Sequence, residues 1–201
     1  MTHARVVATR EQLLDAAEEL FGRQGIDRTP TREIVEAARQ RNASAVSYHF
    51  GSREGLLLEI LARRGAQVDA ARGSMHRALG ESPTTSELVN CLVEPYVALL
   101  DEPGGRSYLR IVDRLRGTFA AWRVESDAAT TKHLVGILDE LERRAGGPSV
   151  ERAERVVAMI MLLTSTTAEQ ARQRDDGQDS GLAGDRFRAL LVSMCSAVLA
   201  G

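Results

Sequence analysis

The sequence predicts an all-α protein, and three observations carry that reading. Proline occurs only at 30, 83, 95, 103 and 148 in 201 residues, so little interrupts a helical backbone ladder. Alternation of β-branched with polar residues, the mark of a half-buried strand, is missing. Ala, Leu, Glu and Arg dominate instead, all good helix formers. Gly and Pro divide the chain into about nine helices, short ones first and longer ones behind.

The first helix runs over Thr9–Gln24. Thr9 followed by Gln12 has the form of a capping box, and Leu13, Leu14, Ala17, Leu20 and Phe21 make one apolar stripe. Gly25 closes it as a left-handed C-terminal position would. The residues ahead of it read as a tail, with Arg5 an unstructured charge. Thr29 then caps a second helix whose first position is Pro30, where a missing N–H costs nothing. Asn42 caps a third helix ending at Phe50-Gly51. Ser52 caps a fourth, with Glu54 in its first turn, and Leu56, Leu57, Ile60, Leu61 and Val68 carry it to about Leu79. Beyond Gly80, Thr85–Leu100 is a helix bent at Pro95, and Pro103-Gly104-Gly105 is a loop. Arg106–Arg116 is helical, with a weaker pattern over Gly117–Glu125. Ser126–Ala145 is a helix closed by Gly146-Gly147-Pro148, and Ser149–Arg172 follows. Asp175–Asp185 is an exposed loop, and the last helix begins at Ala183 or Asp185 and ends at Ala200.

Composition narrows the function. Hydrophobic residues at 43% and charged residues at 27% fit a globular chain and exclude a disordered one. The longest apolar run, Val156–Leu163, is far short of the roughly 18 residues that a membrane span needs. Residues 1–10 lack the apolar centre of a secretory signal, so the expected location is cytoplasmic, with no membrane partner. Cys91 and Cys195 stand outside any Cys-x-x-Cys or Cys/His cluster, which argues against a disulfide framework and leaves a redox role as the minority reading. There is no Gly-rich phosphate loop, no nucleophile signature and no metal-ligand spacing among the four histidines. Asp139-Glu140 and Asp175-Asp176 read as solvated charge. The chain is therefore expected to be no enzyme, with no catalytic residue, metal or cofactor.

Three short helices inside fifty residues, the second and third joined by about four residues, have the form of a helix-turn-helix. A third helix of about two turns fits the major groove of double-stranded DNA, its N-terminal residues against base edges. Ile34, Val35, Ala38 and Val46 supply the apolar contacts that would brace it. Leu13-Leu14-Asp15-Ala16-Ala17, Leu20-Phe21, Gly25, Thr29, Arg32-Glu33-Ile34, Ala37-Ala38 and the run Tyr48-His49-Phe50-Gly51-Ser52-Arg53-Glu54-Gly55-Leu56-Leu57 take the comparison further. Over residues 9–60 the chain resembles the N-terminal DNA-binding domain of the tetracycline-repressor (TetR) family of transcriptional regulators. Gln40-Arg41-Asn42 stands where that family has a Gly-hydrophobic-Ser turn, and Ser47 where it has a tyrosine. The chain is thus similar to a subset with an Arg-Asn…Tyr-His-Phe-Gly pattern.

The expected division is a DNA-binding domain over 1–55 and a ligand-binding and dimerisation domain over 56–201. Thr29 and Ser52, at helix starts, suit phosphate oxygens or simply cap their helices. Arg32, Arg41 and Arg53 are candidate phosphate partners. Asn42, Ala43, Ser44 and Ala45 form the leading turn toward base edges, the methyl groups suited to thymine. Ser47, Tyr48 and His49 lie further along as backbone contacts or packing. Residues 1–55 hold eight arginines and eight carboxylates. Four of those acids lie on the first helix, on the side expected to face away from DNA, so few phosphate contacts and a moderate salt dependence are expected.

The resemblance implies a homodimer on a palindromic operator, released by a small-molecule effector and acting as a repressor. Val156, Ile160 and Leu163 on one late helix, and Phe187, Leu190, Leu191, Met194 and Val198 on the last, keep helical period and are the candidate dimer surface. Core packing within one chain is the alternative. The effector would sit in the middle region, lined by Tyr96, Tyr108, Phe119 and Trp122, with Arg110, Arg114, Arg123 or His133 fixing an acidic or polar group. The competing function is an all-helical protein-interaction module that does not bind DNA.

Overall fold

Nine α-helices and one 3-10 turn make up the regular structure among the residues that the computed structural model describes, which are 3–115, 131–178, 182 and 184–201. They are α1 (His3–Gln24), α2 (Thr31–Ala37), α3 (Ala45–Phe50), α4 (Arg53–Ala78), α5 (Thr85–Val97), a 3-10 turn (Ala98–Asp101), α6 (Pro103–Leu115), α7 (Lys132–Arg144), α8 (Ser149–Asp175) and α9 (Gly184–Ala200).

Helix α1 starts six residues before the expected cap, so Arg5 lies on a helix and Thr9 sits within it. No capping box forms there. Gln12 Oε1 instead accepts from Gln40 Nε2 at 2.8 Å, which ties α1 to the turn after α2. The stripe itself is as expected: Leu13, Leu14, Ala17 and Phe21 are fully buried. Gly25, at φ 101°, ends the helix.

Pro30, not Thr29, is the N-cap of α2. Thr29 is fully buried, and its hydroxyl donates to Gly25 O at 2.8 Å. Thr29 thus joins the ends of α1 and α2, and its expected place against a phosphate is withdrawn. Helix α2 closes in a Schellman arrangement: Gln40 N donates to Val35 O and Arg39 N to Glu36 O, both at 2.9 Å. The left-handed position falls on Arg39, with φ 55°, where glycine would be at ease.

Between α3 and α4 the chain turns sharply. Gly51 has φ 74°, and a Cβ on Gly55 would lie 2.2 Å from Phe50 O. Ser52 caps α4 as expected, accepting from Gly55 N at 2.9 Å. The domain boundary expected at 55/56 falls inside the first turn of this 26-residue helix.

Thr84 and Glu87 form a reciprocal capping box on α5. Pro95 lies inside α5, and the helix gives way at Ala98 to a 3-10 turn. Pro103-Gly104-Gly105, expected as a loop, is the first turn of α6, where proline suits position N1. The glycines are there for space: a Cβ on Gly104 would lie 2.2 Å from Arg64 Nη2, and one on Gly105 2.2 Å from Leu99 O. The start expected for the seventh helix at Ser126 lies outside the described residues. At its observed start, Asp69 of α4 accepts from His133 N at 2.9 Å and Leu134 N at 2.8 Å.

One core runs through the molecule. It includes Leu56, Ile60 and Val68 of α4, Leu88 and Leu92 of α5, Leu109 and Ile111 of α6, Ile137 and Leu141 of α7, Met159 of α8, and Leu191 and Cys195 of α9. Each such aliphatic side chain contributes about 1.5–3 kcal/mol on burial.

Candidate nucleic-acid interface

Helix α3 is short because its sequence offers one apolar face and no more. Ala45 and Val46 are buried against the brace expected for them, Ile34, Val35 and Ala38. The opposite face carries Ser44, Ser47 and Tyr48 at i, i+3 and i+4, all exposed, Tyr48 at 71%. Ahead of it Arg41, Asn42 and Ala43 are also exposed. Asn42 does not cap the helix directly: its Oδ1 accepts from Ser44 N at 3.0 Å, an Asx turn that sets up Ser44 as the N-cap. Ala45 was expected at a base edge, but its methyl is spent in the core.

The rest of the expected contact set divides in the same way. Arg32 is exposed and paired with Glu36 at 3.5 Å. Ser52 is exposed and caps α4. His49 is half-buried, its ring 5.0 Å from that of Tyr48 in an edge-on arrangement. The Arg53 guanidinium lies 5.6 Å over the Phe21 ring, and its Nε and Nη2 are buried without a hydrogen-bond partner. Exposed in and directly ahead of α3 are therefore Arg41, Asn42, Ala43, Ser44, Ser47 and Tyr48.

Three of the four acids of α1 are paired with arginines of α4, and Glu19 pairs with Arg23 of α1 itself. Arg63 Nη1 lies 2.8 Å from Asp15 Oδ1 and 3.3 Å from Glu11 Oε2. Buried Glu18 accepts from Arg63 Nη2 at 3.0 Å, and from Arg64 Nε at 3.0 Å and Nη2 at 3.1 Å. Arg10 adds a bond to Glu59 at 2.8 Å. Arg28, Arg39 and Arg41 remain exposed. Within a balanced charge count these three cations lie outside the pairing between α1 and α4, and Arg41 directly precedes the turn into α3.

Of the candidate effector residues, Phe119, Trp122 and Arg123 lie outside the described residues. Tyr96 and Tyr108 are buried side chains of α5 and α6. Arg110 is buried but already paired with Asp175 at 2.7 Å. Arg114, expected to hold an acidic ligand, grips the end of α1: it donates to the carbonyls of Phe21, Gly22 (2.9 Å) and Arg23 (3.4 Å). That is a favourable use of a cation at a helix C-terminus. The His133 ring packs on Gly73, where a Cβ would meet it at 2.5 Å. Asp69 and Arg72, buried beside Val68 on α4, were not anticipated. The available signal was a charge at 69 and at 72 continuing the apolar stripe that ends at Val68.

The candidate dimer residues separate too. Val156, Leu163, Phe187 and Leu191 are buried in their own chain's core, so they are removed from that surface. Ile160, Met194 and Val198 are half-buried and Leu190 is exposed. Val150, Val157 and Met161 on α8 join Leu190 as exposed apolar side chains.

Residues 13–60 match the family described as bacterial regulatory proteins, tetR family. The whole chain shares the fold of solved regulators. A TetR-like transcriptional regulator from Rhodococcus sp. RHA1 is 16% identical, with 97% of this chain and 96% of the other covered and a TM-score of 0.64. AmtR of Mycobacterium smegmatis is 24% identical over all of this chain and 87% of its own, with a TM-score of 0.57. The fatty acid degradation regulator FadR of Bacillus halodurans is 16% identical, covers 96% and 95%, and has a TM-score of 0.59. No curated protein matches the chain.

Proposed function

We propose that this chain is a transcriptional regulator of the TetR family, which reads a palindromic operator as a homodimer and releases it on binding a small-molecule effector. One observation carries the reading. Within the matched helix-turn-helix, α3 buries Ala45 and Val46 and turns Ser44, Ser47 and Tyr48 outward, as a helix lying in a major groove must. Arg41 and Arg28 supply phosphate contacts beside it, and Asn42, Ala43 and Ser44 meet base edges.

Two-fold symmetry supplies the second half-site. The dimer surface is assigned to the apolar side chains that the core leaves outside: Val150, Val157 and Met161 at i, i+7 and i+11 on α8, with Leu190 on α9. The effector acts through α6, because Arg114 and the close approach of Ser107 to Gly22 bind that helix to α1. Differential affinity for two settings of α6 is what releases DNA. Repression is the sense expected of such a device.

A gel shift against DNA flanking the chain's own gene tests this. Saturable binding that survives non-specific competitor at near-physiological salt supports the proposal, and its absence across many palindromes supports an interaction module. Arg41→Ala weakens binding to all sequences alike and lowers the salt slope by about 1, whereas Ser44→Ala alters sequence preference. Identical selectivity profiles for the two variants refute the placement of α3. Val157→Glu with Leu190→Glu yields a monomer by light scattering.

A further inference from the structure

We propose that the cleft between the end of α4, the start of α5 and the first half of α9 binds a small organic cation, an ammonium carried on a hydrocarbon chain.

Each of the three helices turns one periodic face into a cleft of about 740 Å³, a size that suits a small molecule. Met75 and Leu79 come from α4 at i and i+4, and Glu87, Cys91 and Glu94 from α5 at i, i+4 and i+7. Asp185, Arg188 and Val192 come from α9 at i, i+3 and i+7. Met75, Leu79, Val192 and the fully buried Cys91 make the apolar part, a place for hydrocarbon. The charged part does not balance. Arg188 is the one cation among the described lining residues, and it meets Glu94 at 2.6 Å and Asp185 at 3.0 Å. Three carboxylates thus share one guanidinium. Glu87 is held by neutral donors instead, Thr84 N at 2.7 Å and Thr84 Oγ1 at 2.8 Å. Those bonds keep its pKa below the ordinary glutamate range, so its charge is in place near pH 7. That charge is felt at the floor of the cleft, where burial first and Glu87 second push the Cys91 thiol up. A molecule with an apolar body and one positive end satisfies both parts of this surface, whereas an acid meets surplus negative charge. No aromatic ring stands among the described lining residues, so ion pairing and not stacking on a ring selects the cation. The dimer surface proposed above leaves the cleft free: Arg188 and Val192 lie two residues either side of Leu190, roughly 160° around α9. No described residue of α1, α2, α3 or α6 lines it, so the inference stands apart from the DNA-binding reading.

The test uses octyltrimethylammonium as probe on the full chain, with 1-octanol and octanoate as uncharged and anionic controls, read by thermal shift and calorimetry. At about a hundred times Kd the cation raises Tm by roughly 5–10 °C, and neither control matches it at that concentration. Glu87→Gln combined with Asp185→Asn binds the cation roughly 2- to 30-fold more weakly, since two exposed ion pairs are lost. Glutamine still completes the capping box at the start of α5, so the fold is kept. Ala189→Trp places an indole in the cleft from an exposed position of α9 and abolishes the shift. The assignment is overturned if octyltrimethylammonium leaves Tm unchanged or lowers it, if 1-octanol or octanoate matches it, or if either variant binds it as well as the wild type does. None of these readouts uses DNA, so failure of this assignment and failure of the regulator reading are distinguishable.

Discussion

Replacing Glu18 by Gln measures what joins the helix-turn-helix to the rest of the molecule. Glu18 is 2% exposed and accepts three charge-assisted bonds, one from Arg63 and two from Arg64, all between 3.0 and 3.1 Å. Its carboxylate holds the Arg64 pKa above the ordinary arginine range, first through that hydrogen bond. Removing one partner of a buried pair costs about 3–5 kcal/mol when the other is left uncompensated. Here the arginines are not abandoned. Their side chains are 24% and 17% exposed, and they keep Glu11, Asp15 and Glu102 as partners. Discounting for that screening gives a loss of about 2–3 kcal/mol, hence a Tm lower by roughly 4–12 °C in a chain of this size. Urea denaturation at pH 7 should show a lower midpoint with an unchanged slope. In a double-mutant cycle with Arg64→Met, part of the loss should be recovered as coupling. A stability within about 0.5 kcal/mol of wild type would show that water screens these bonds and refute the reasoning.

Arg39→Gly should stabilise the fold by about 0.5–1 kcal/mol, since φ 55° penalises a side chain; a destabilised variant would mean that the arginine side chain is making a contact worth more than the strain. Tyr48→Ala should leave urea stability within about 0.5 kcal/mol, as its ring is 71% exposed, yet weaken operator binding about 10-fold in a gel shift. Unchanged affinity would remove Tyr48 from the interface. Burial pushes the Cys195 thiol up to about 12 and raises Cys91 as well, so the native thiolate fraction of Cys195 at pH 8 is on the order of 0.0001. A thiol-specific chromogenic reagent should therefore react far more slowly with the native chain than with the urea-unfolded one. Stoichiometric labelling of the native chain within seconds would restore the redox reading.

Helix content and the helix-turn-helix were legible because they rest on local signals that agree. The stripe from Leu13 to Phe21, the brace at Ile34, Val35 and Ala38, and the turn at Gly51-Ser52 all specify the same corner. What failed were choices that local chemistry leaves open. Thr9, Thr29 and Asn42 are each good caps, but which hydroxyl or amide does the capping depends on where the neighbouring helix lies. Pro103-Gly104-Gly105 reads as a loop until Arg64 and Leu99 are placed against it. Arg110 and Arg114 read in the sequence as ligand cations, although the groups that engage them, Asp175 and the carbonyls of residues 21–23, lie 65 or more positions away. Side-chain partners across such separations leave no periodic trace.

Gly22 has nothing to yield: a Cβ there would stand 2.7 Å from both Cα and Cβ of Ser107. Main chain therefore rests on main chain, and a sideways step of α6 reaches α1 with no soft group between them to absorb it. On the proposed reading the junction works like a keyed shaft, passing on displacement without slack. A bulkier residue at position 22 should then disconnect sensing from release in a protein whose groove-facing helix is untouched.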